Sequence, residues 1–224
     1  MAQNTSHAVM AQRAENRDSL DDFPTPPWAT RAFVEHVLGG KASTGGLRVL
    51  EPACGRGYMS LALAEYFGSV ISSDIHDYGF AETRDFLGDP RDKKSVDWMI
   101  TNPPFKAAEA FVEEGLKVAK VGVAILTRTV FIESIGRYER LFSTRPPTLV
   151  AQYTERVPMV KGRLDKTAST ATGYCWLVWG PLNNAGTELV WIPPCRKKLE
   201  RHTDYSDSTD QLDLIEGKLG DGNS

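Results

Sequence analysis

The chain has 224 residues, a net charge of −3 and 41% hydrophobic residues, enough for one well-buried domain and not comfortably for two. That charge excludes a global basic field as the mark of a nucleic-acid binder, although a local basic groove would suffice. Three cysteines without paired spacing and four scattered histidines argue against disulfides and metal, so a reducing, cytoplasmic setting with no metal is expected.

Residues 1–20 are rich in Asn, Ser, Ala and Gln and lack an apolar signal-peptide core, which predicts a disordered arm. The body is expected over 21–198. Residues 199–224 read as a polar tail. No apolar run approaches the ~18 residues of a membrane span. Within the body, Thr30 to Leu38 has helical apolar spacing and stops at Gly39-Gly40. Leu47 to Leu50 reads as a strand, Tyr58 to Phe67 as a helix, and Val70 to Ser73 as a second strand closing on Asp74. Trp98 to Thr101 is a buried strand, Ala107 to Ala119 an amphipathic helix, Val121 to Leu126 a strand and Ile132 to Phe142 a helix. Thr148 to Tyr153, Tyr174 to Trp179 and Glu188 to Ile192 are late strands. The alternation predicts an α/β fold with a mostly parallel, doubly wound sheet. The late strands lack helices between them, so an antiparallel hairpin is expected at one edge.

Two segments carry the chemistry. Asn102-Pro103-Pro104-Phe105 follows the Trp98 strand. Two prolines cannot donate to a ladder, so the strand must end there. What emerges is a side-chain amide, carbonyls not drawn into the ladder, and an aromatic ring. That set can hold a planar amino group by accepting its two N–H bonds and can cover the attached ring. About fifty residues earlier, Val49-Leu50-Glu51-Pro52-Ala53-Cys54-Gly55-Arg56-Gly57 is a strand entering a glycine-rich turn. In an open α/β sheet both would reach one crevice at the carboxyl ends of the strands.

Together the segments resemble motifs I and IV of the S-adenosylmethionine-dependent amino-methyltransferases that methylate adenine in DNA. The resemblance implies a Rossmann-like class I methyltransferase fold with S-adenosylmethionine as cofactor. A nicotinamide fingerprint is the competing reading of the glycine turn, but it would want Gly or Ala where Ser60 stands. On the methyltransferase reading, Glu51, Pro52, Ala53, Gly55 and Gly57 hold the methionine end of the cofactor. Asp74 accepts the ribose hydroxyls, with Ile75 beside it; the plain alternative for Asp74 is a strand-end cap. Asp85 and Phe86 resemble the motif III pair around the cofactor adenine. Asp22 to Trp28 resembles motif X of the gamma class, with Thr25 and Pro26 nearest the cofactor; its plain alternative is a helix start with proline first.

In the catalytic set, Asn102 and the Pro103 carbonyl would accept from the target amine, while Pro104 and Phe105 complete the turn. Phe105 would stack on an extruded base. Tyr174 and Trp176 share one strand face and resemble motif VIII as a second stacking face, though they could equally be core. Val157 to Thr172 is too polar for core and predicts a mobile loop with Lys161, Arg163 and Lys166 on the nucleic-acid backbone. Arg128, Arg137, Arg140, Arg145 and Arg196 to Lys198 are further candidate cations.

The expected partner is nucleic acid, DNA before RNA, with no membrane. The motif order and Phe105 point to adenine N6 in DNA, as in small phage- or prophage-encoded members of the group. RNA base amino-methylation is the alternative. Glutamine methylation of a translation factor is a third, where tyrosine usually stands in place of Phe105. No room for a separate target-recognition domain follows the Tyr174 strand, so weak sequence preference is expected.

Overall fold

The computed structural model describes residues 21–89, 93–180 and 186–205. The arm expected over 1–20 and residues 206–224 of the expected tail lie outside them. Eight strands form one sheet: β1 (Arg48–Glu51), β2 (Ser69–Asp74), β3 (Glu82–Thr83), β4 (Val96–Thr101), β5 (Ala119–Arg128), β6 (Leu149–Tyr153), β7 (Tyr174–Trp179) and β8 (Glu188–Ile192). Their order is β3-β2-β1-β4-β5-β7-β6-β8. Strands β1, β2, β4 and β5 are mutually parallel, and only β7 among the described strands runs against its neighbours. The mostly parallel doubly wound sheet is therefore as read from the alternation. The hairpin is β6–β7, with β8 added outside it, parallel to β6.

The sheet separates two cores, and side-chain alternation explains which residue enters which. Trp98 and Ile100 of β4, and Tyr174, Trp176 and Val178 of β7, face helices α1 (Pro27–His36) and α3 (Tyr58–Ala64). Met99, Cys175, Leu177 and Trp179 face α4 (Ala108–Val118). Central strands covered on both faces need no polar side, which is why they read as continuous apolar runs. A short helix, α2 (Lys41–Thr44), leads into β1. The three cysteines are buried and unpaired. No helix among the described residues is long and apolar enough to cross a membrane.

Two expectations about local structure change. The helix over Ile132 to Phe142 is broken: a 3-10 turn (Thr129–Phe131), then α5 (Ile135–Arg137) passing into a π-helical turn (Tyr138–Phe142). The Ser134 hydroxyl accepts from Arg137 N–H at 3.3 Å, so the cap sits two residues inside the expected start. The packed body also runs past Lys198. In α6 (Arg196–Leu199) Leu199 is buried, and in the 3-10 turn His202–Tyr205 Asp204 is only 3% exposed. Buried Arg31 explains this: its Nη1 and Nη2 donate to the two Asp204 oxygens at 2.8 Å each, and its Nε donates to Glu65 at 2.9 Å. A charge buried in α1 requires this partner from the end of the body.

Asp204→Ala removes one of the two carboxylates on Arg31 and leaves Glu65. It should cost about 1.5–3 kcal/mol of folding free energy, the scale of hydrogen bonds to a charged group, read as a lowered urea midpoint. Asp204→Asn, which can keep one acceptor, should cost less.

Candidate functional site

Because β1, β2 and β4 are parallel, their carboxyl ends open on the same edge of the sheet, and a cavity of about 560 Å³ lies there. Each strand end supplies a wall. From β1 come Glu51, Pro52 and Ala53 and the turn Cys54-Gly55-Arg56; from β2 come Asp74, Ile75 and His76. Asp85, Phe86 and Leu87 close one side. Asn102 and Pro104 stand at the end of β4, and the segment Asp21 to Thr25 lies across the opening. Nearly all the expected cofactor residues are thus brought together.

The glycine turn is built by two left-handed residues. Gly55 has φ +51° and Gly57 has φ +83°. The Gly55 N–H donates to Asp74 Oδ2 at 2.9 Å, tying the ends of β1 and β2. A Cβ on Gly57 would meet the Phe80 ring at 2.3 Å. Gly57 therefore serves the close approach of Phe80 and does not line the cavity, which departs from its expected cofactor role. Pro26 departs likewise: it is buried at the cap of α1, where Pro27 takes the first helical position.

Three of the carboxylates lining the cavity, those carried by the strand ends and the Asp85 segment, differ in their hydrogen-bond partners. Glu51 is 2% exposed. It accepts a hydrogen bond from the Ser60 hydroxyl, which lies 2.7 Å from the Ser72 hydroxyl. Burial pushes the Glu51 carboxyl up to about 8, against the lowering effect of Ser60 and with a smaller upward push from Asp74. Asp74 Oδ1 accepts from His76 N–H at 3.0 Å while Oδ2 takes Gly55, so each oxygen retains a lone pair for a ligand. It is a strand-end cap that also lines the cavity. Asp85 Oδ1 accepts from Leu87 N–H at 3.0 Å. Phe86 packs on Phe111 with ring centres 5.2 Å apart, and Ile75, 53% exposed, stands at the mouth.

Asn102 lies on the seam between this cavity and a second, much smaller one of about 30 Å³, shared with Pro103, Phe105, Thr127, Arg128, Met159 and Tyr174. Its Nδ2 donates to the Phe23 carbonyl at 3.0 Å and to Thr25 Oγ1 at 3.2 Å. A main-chain carbonyl can only accept, so the amide must present its nitrogen there and its oxygen elsewhere. Asp21 Oδ2 accepts from Phe105 N–H at 2.7 Å. The Arg128 and Arg137 guanidinium groups lie 5.7 and 5.2 Å from the Phe105 ring centre.

The structure revises the expected role of Trp176 and the reading of 157–172 as wholly outside the core. Trp176 is fully buried, stacks on Phe33 at 4.2 Å and donates Nε1 to Tyr153 at 2.6 Å. It shares a face with Tyr174, but that face is core, and only Tyr174 reaches the small cavity. Lys161, Arg163 and Lys166 are exposed and line neither cavity. Arg163 pairs with Asp165 at 3.2 Å, and Lys166 lies 5.9 Å from the Tyr205 ring centre. Val157 and Met159, within the stretch expected to be too polar for core, are buried. The signal for both lay in the apolar stretch Val157-Pro158-Met159-Val160 at the head of that segment. Asp21, Arg56 and Tyr78 carried no separate signal; Arg56 pairs with Asp22 at 2.7 Å and stacks over Tyr78 at 5.3 Å.

No protein-family model and no curated protein matches the sequence. Solved structures do. A protein proposed as the modification subunit of a type I restriction enzyme from Vibrio vulnificus superposes with a TM-score of 0.54 at 14% identity, over 89% of this chain and 53% of that one. A protein proposed as an RNA methyltransferase from Pyrococcus horikoshii gives 0.54 at 16% identity, over 77% and 94%. A protein proposed as a class I S-adenosylmethionine-dependent methyltransferase from Listeria monocytogenes gives 0.50 at 15%, over 88% and 72%. The fold is that of the class I methyltransferases. This chain spans about half the length of the restriction subunit. Acidic side chains outnumber basic ones on the wall of the large cavity: Asp21, Asp22, Asp74 and Asp85 face Arg56 and His76, while burial keeps Glu51 protonated up to about 8.

Glu51 gives a pH signature. A carboxyl raised on folding contributes stability below its unfolded value, and loses it as pH climbs toward about 8. The ligand-free protein should therefore lose up to ~1.4 kcal/mol per pH unit from this group between the ordinary carboxylate range and its raised value. Urea titrations across that range should show the fall, and Glu51→Gln should flatten it.

Proposed function

We propose that the chain transfers a methyl group from S-adenosylmethionine to the exocyclic N6 of adenine in DNA, acting on a base flipped out of its stack. The observation that carries this reading is Asn102 on the seam of the two cavities, its amide nitrogen held by Phe23 and Thr25 so that its oxygen is free to accept.

The donor set of the large cavity fits the cofactor. A sulfonium with an α-ammonium is cationic, and Asp21, Asp22, Asp74 and Asp85 outnumber Arg56 and His76 on the wall, while the buried, protonated Glu51 remains able to exchange a hydrogen bond. A dinucleotide would bring a pyrophosphate dianion against Asp74, which argues against the nicotinamide reading. Glu51 would meet the amino group of the methionine end, Asp74 the ribose hydroxyls, and Asp85 with Phe86 and Ile75 the adenine. When bound, S-adenosylmethionine supplies an electrophilic methyl carbon.

The remaining work falls to the chain. The Asn102 oxygen and the Pro103 carbonyl each accept one N–H of the target amine. That draws its lone pair out of ring conjugation and fixes its direction. Phe105 and Tyr174 cover the ring. Positioning and fixed dipoles supply the rate, and no strong general base is asked of the protein. A cavity of about 30 Å³ holds roughly one water, so a base enters only when Met159 and Phe23 withdraw. The Gly162 N–H to Asp22 carbonyl bond, 2.8 Å long, joins the two segments that carry them.

RNA is the second reading. It is favoured by the Pyrococcus horikoshii neighbour, most of whose length this chain matches. Labelled S-adenosylmethionine with matched DNA, RNA and protein pools, followed by nucleoside analysis, separates the cases. Label as 6-methyladenine in DNA is expected; label on RNA bases or on glutamine would replace this reading. Asn102→Ala should lower kcat about 10²–10³-fold, with cofactor affinity by calorimetry changed only a few-fold. Undiminished turnover would refute the assignment.

A further inference from the structure

Arg128 ends β5 and lines the small cavity beside Asn102. In the β5–β7 ladder it pairs directly with Tyr174. Its guanidinium carbon lies 5.4 Å from the Phe23 ring centre and 5.7 Å from that of Phe105. Among the described residues no carboxylate forms an ion pair with it, although it is half-buried. Asp21 lines the same cavity, but its Oδ2 is engaged by the Phe105 N–H. The nearby Arg137 and Arg140 differ: both are matched to Glu109, at 3.4 and 2.9 Å.

The guanidinium lies against the Phe23 and Phe105 rings and donates a side-chain hydrogen bond to the Tyr174 hydroxyl; its remaining N–H groups, set in a planar fork, suit paired or charged acceptors. Leaving such a cation half-buried without a counter-ion is costly unless a ligand completes it. Beside the pocket for a target amine, it would also repel positive charge as the amine is alkylated. A ligand acceptor placed against Arg128 offsets both effects.

We propose that Arg128 is a substrate-positioning residue that donates to an acceptor of the incoming nucleotide, either a phosphate oxygen next to the target or N1 or N7 of the target base. This rests on the nucleic-acid reading above. It adds a cation in direct reach of the target nucleotide to the exposed Lys161, Arg163 and Lys166.

The test measures methyl transfer to a single-stranded oligonucleotide by the full chain and by Arg128→Gln and Arg128→Lys. Four substrates are compared: the natural target, the same strand with uncharged methylphosphonates flanking the target, and strands with 7-deazaadenine or 1-deazaadenine at the target. Arg128→Gln should raise KM about tenfold or more on the natural strand, with kcat changed far less and S-adenosylmethionine affinity unchanged. The penalty should vanish on the one substrate whose missing acceptor Arg128 contacts. Loss of the penalty with methylphosphonates identifies a phosphate, with a salt slope for binding reduced by about one and partial rescue by Arg128→Lys. Loss with a deaza base identifies a ring nitrogen. Equal KM for wild type and Arg128→Gln overturns the proposal, as does an equal penalty on all four substrates, which would make Arg128 a packing residue only. If the wild-type chain labels no nucleic acid while binding S-adenosylmethionine, the broader reading falls and takes this one with it.

Discussion

The site depends on one tie between distant parts of the chain: the Asn102 amide donating to the Phe23 carbonyl and the Thr25 hydroxyl. Pro103 and Pro104 make it possible. They stop β4 from continuing its ladder and turn the chain out at the carboxyl edge of the sheet. The amide then has no strand neighbour to satisfy and finds the segment ahead of α1. That contact does two things at once. It draws Asp21 to Thr25 over the large cavity, and it orients the amide oxygen away from its own support. The same segment is held again by Arg56 on Asp22 and by Asp21 on the Phe105 N–H.

Electrostatics sort the two cavities. The larger is walled by carboxylates, among them Glu51, whose burial keeps it protonated longer than an exposed acid. The smaller carries Arg128, with Arg137 stacked on the outer side of Phe105. The smaller cavity also receives the Asp21 carboxylate, so the two meet at the neutral Asn102 amide with different ratios of acid to base on their walls.

Much of this was legible in the sequence, because it is carried by local rules. Proline pairs end strands, glycines mark left-handed turns, and alternation marks covered strands; these placed Glu51, Gly55, Asp74 and Asn102 at one sheet edge. Long-range partnerships were not legible. Nothing local in Asp204 says that it closes on Arg31, since the need arises only once α1 is buried. Trp176 illustrates the limit of pattern: period two assigned it correctly to the face of Tyr174, but only the packing of Phe33 shows that this face is filled one step further in. Val157 and Met159 fail the other way: the polar residues after Lys161 gave the whole 157–172 stretch a polar reading, although both side chains are buried.

The direction of β7 has a consequence for how such a scaffold can diversify. Since β6 runs toward the ligand edge and β7 runs away from it, the 154–173 connection leaves and re-enters on the side where chemistry is done. It never has to cross the sheet. Residues can be gained or lost in its exposed part without shifting a rung of the ladder. Its start cannot vary so freely, since Val157 and Met159 are buried and the Gly162 N–H donates to the Asp22 carbonyl.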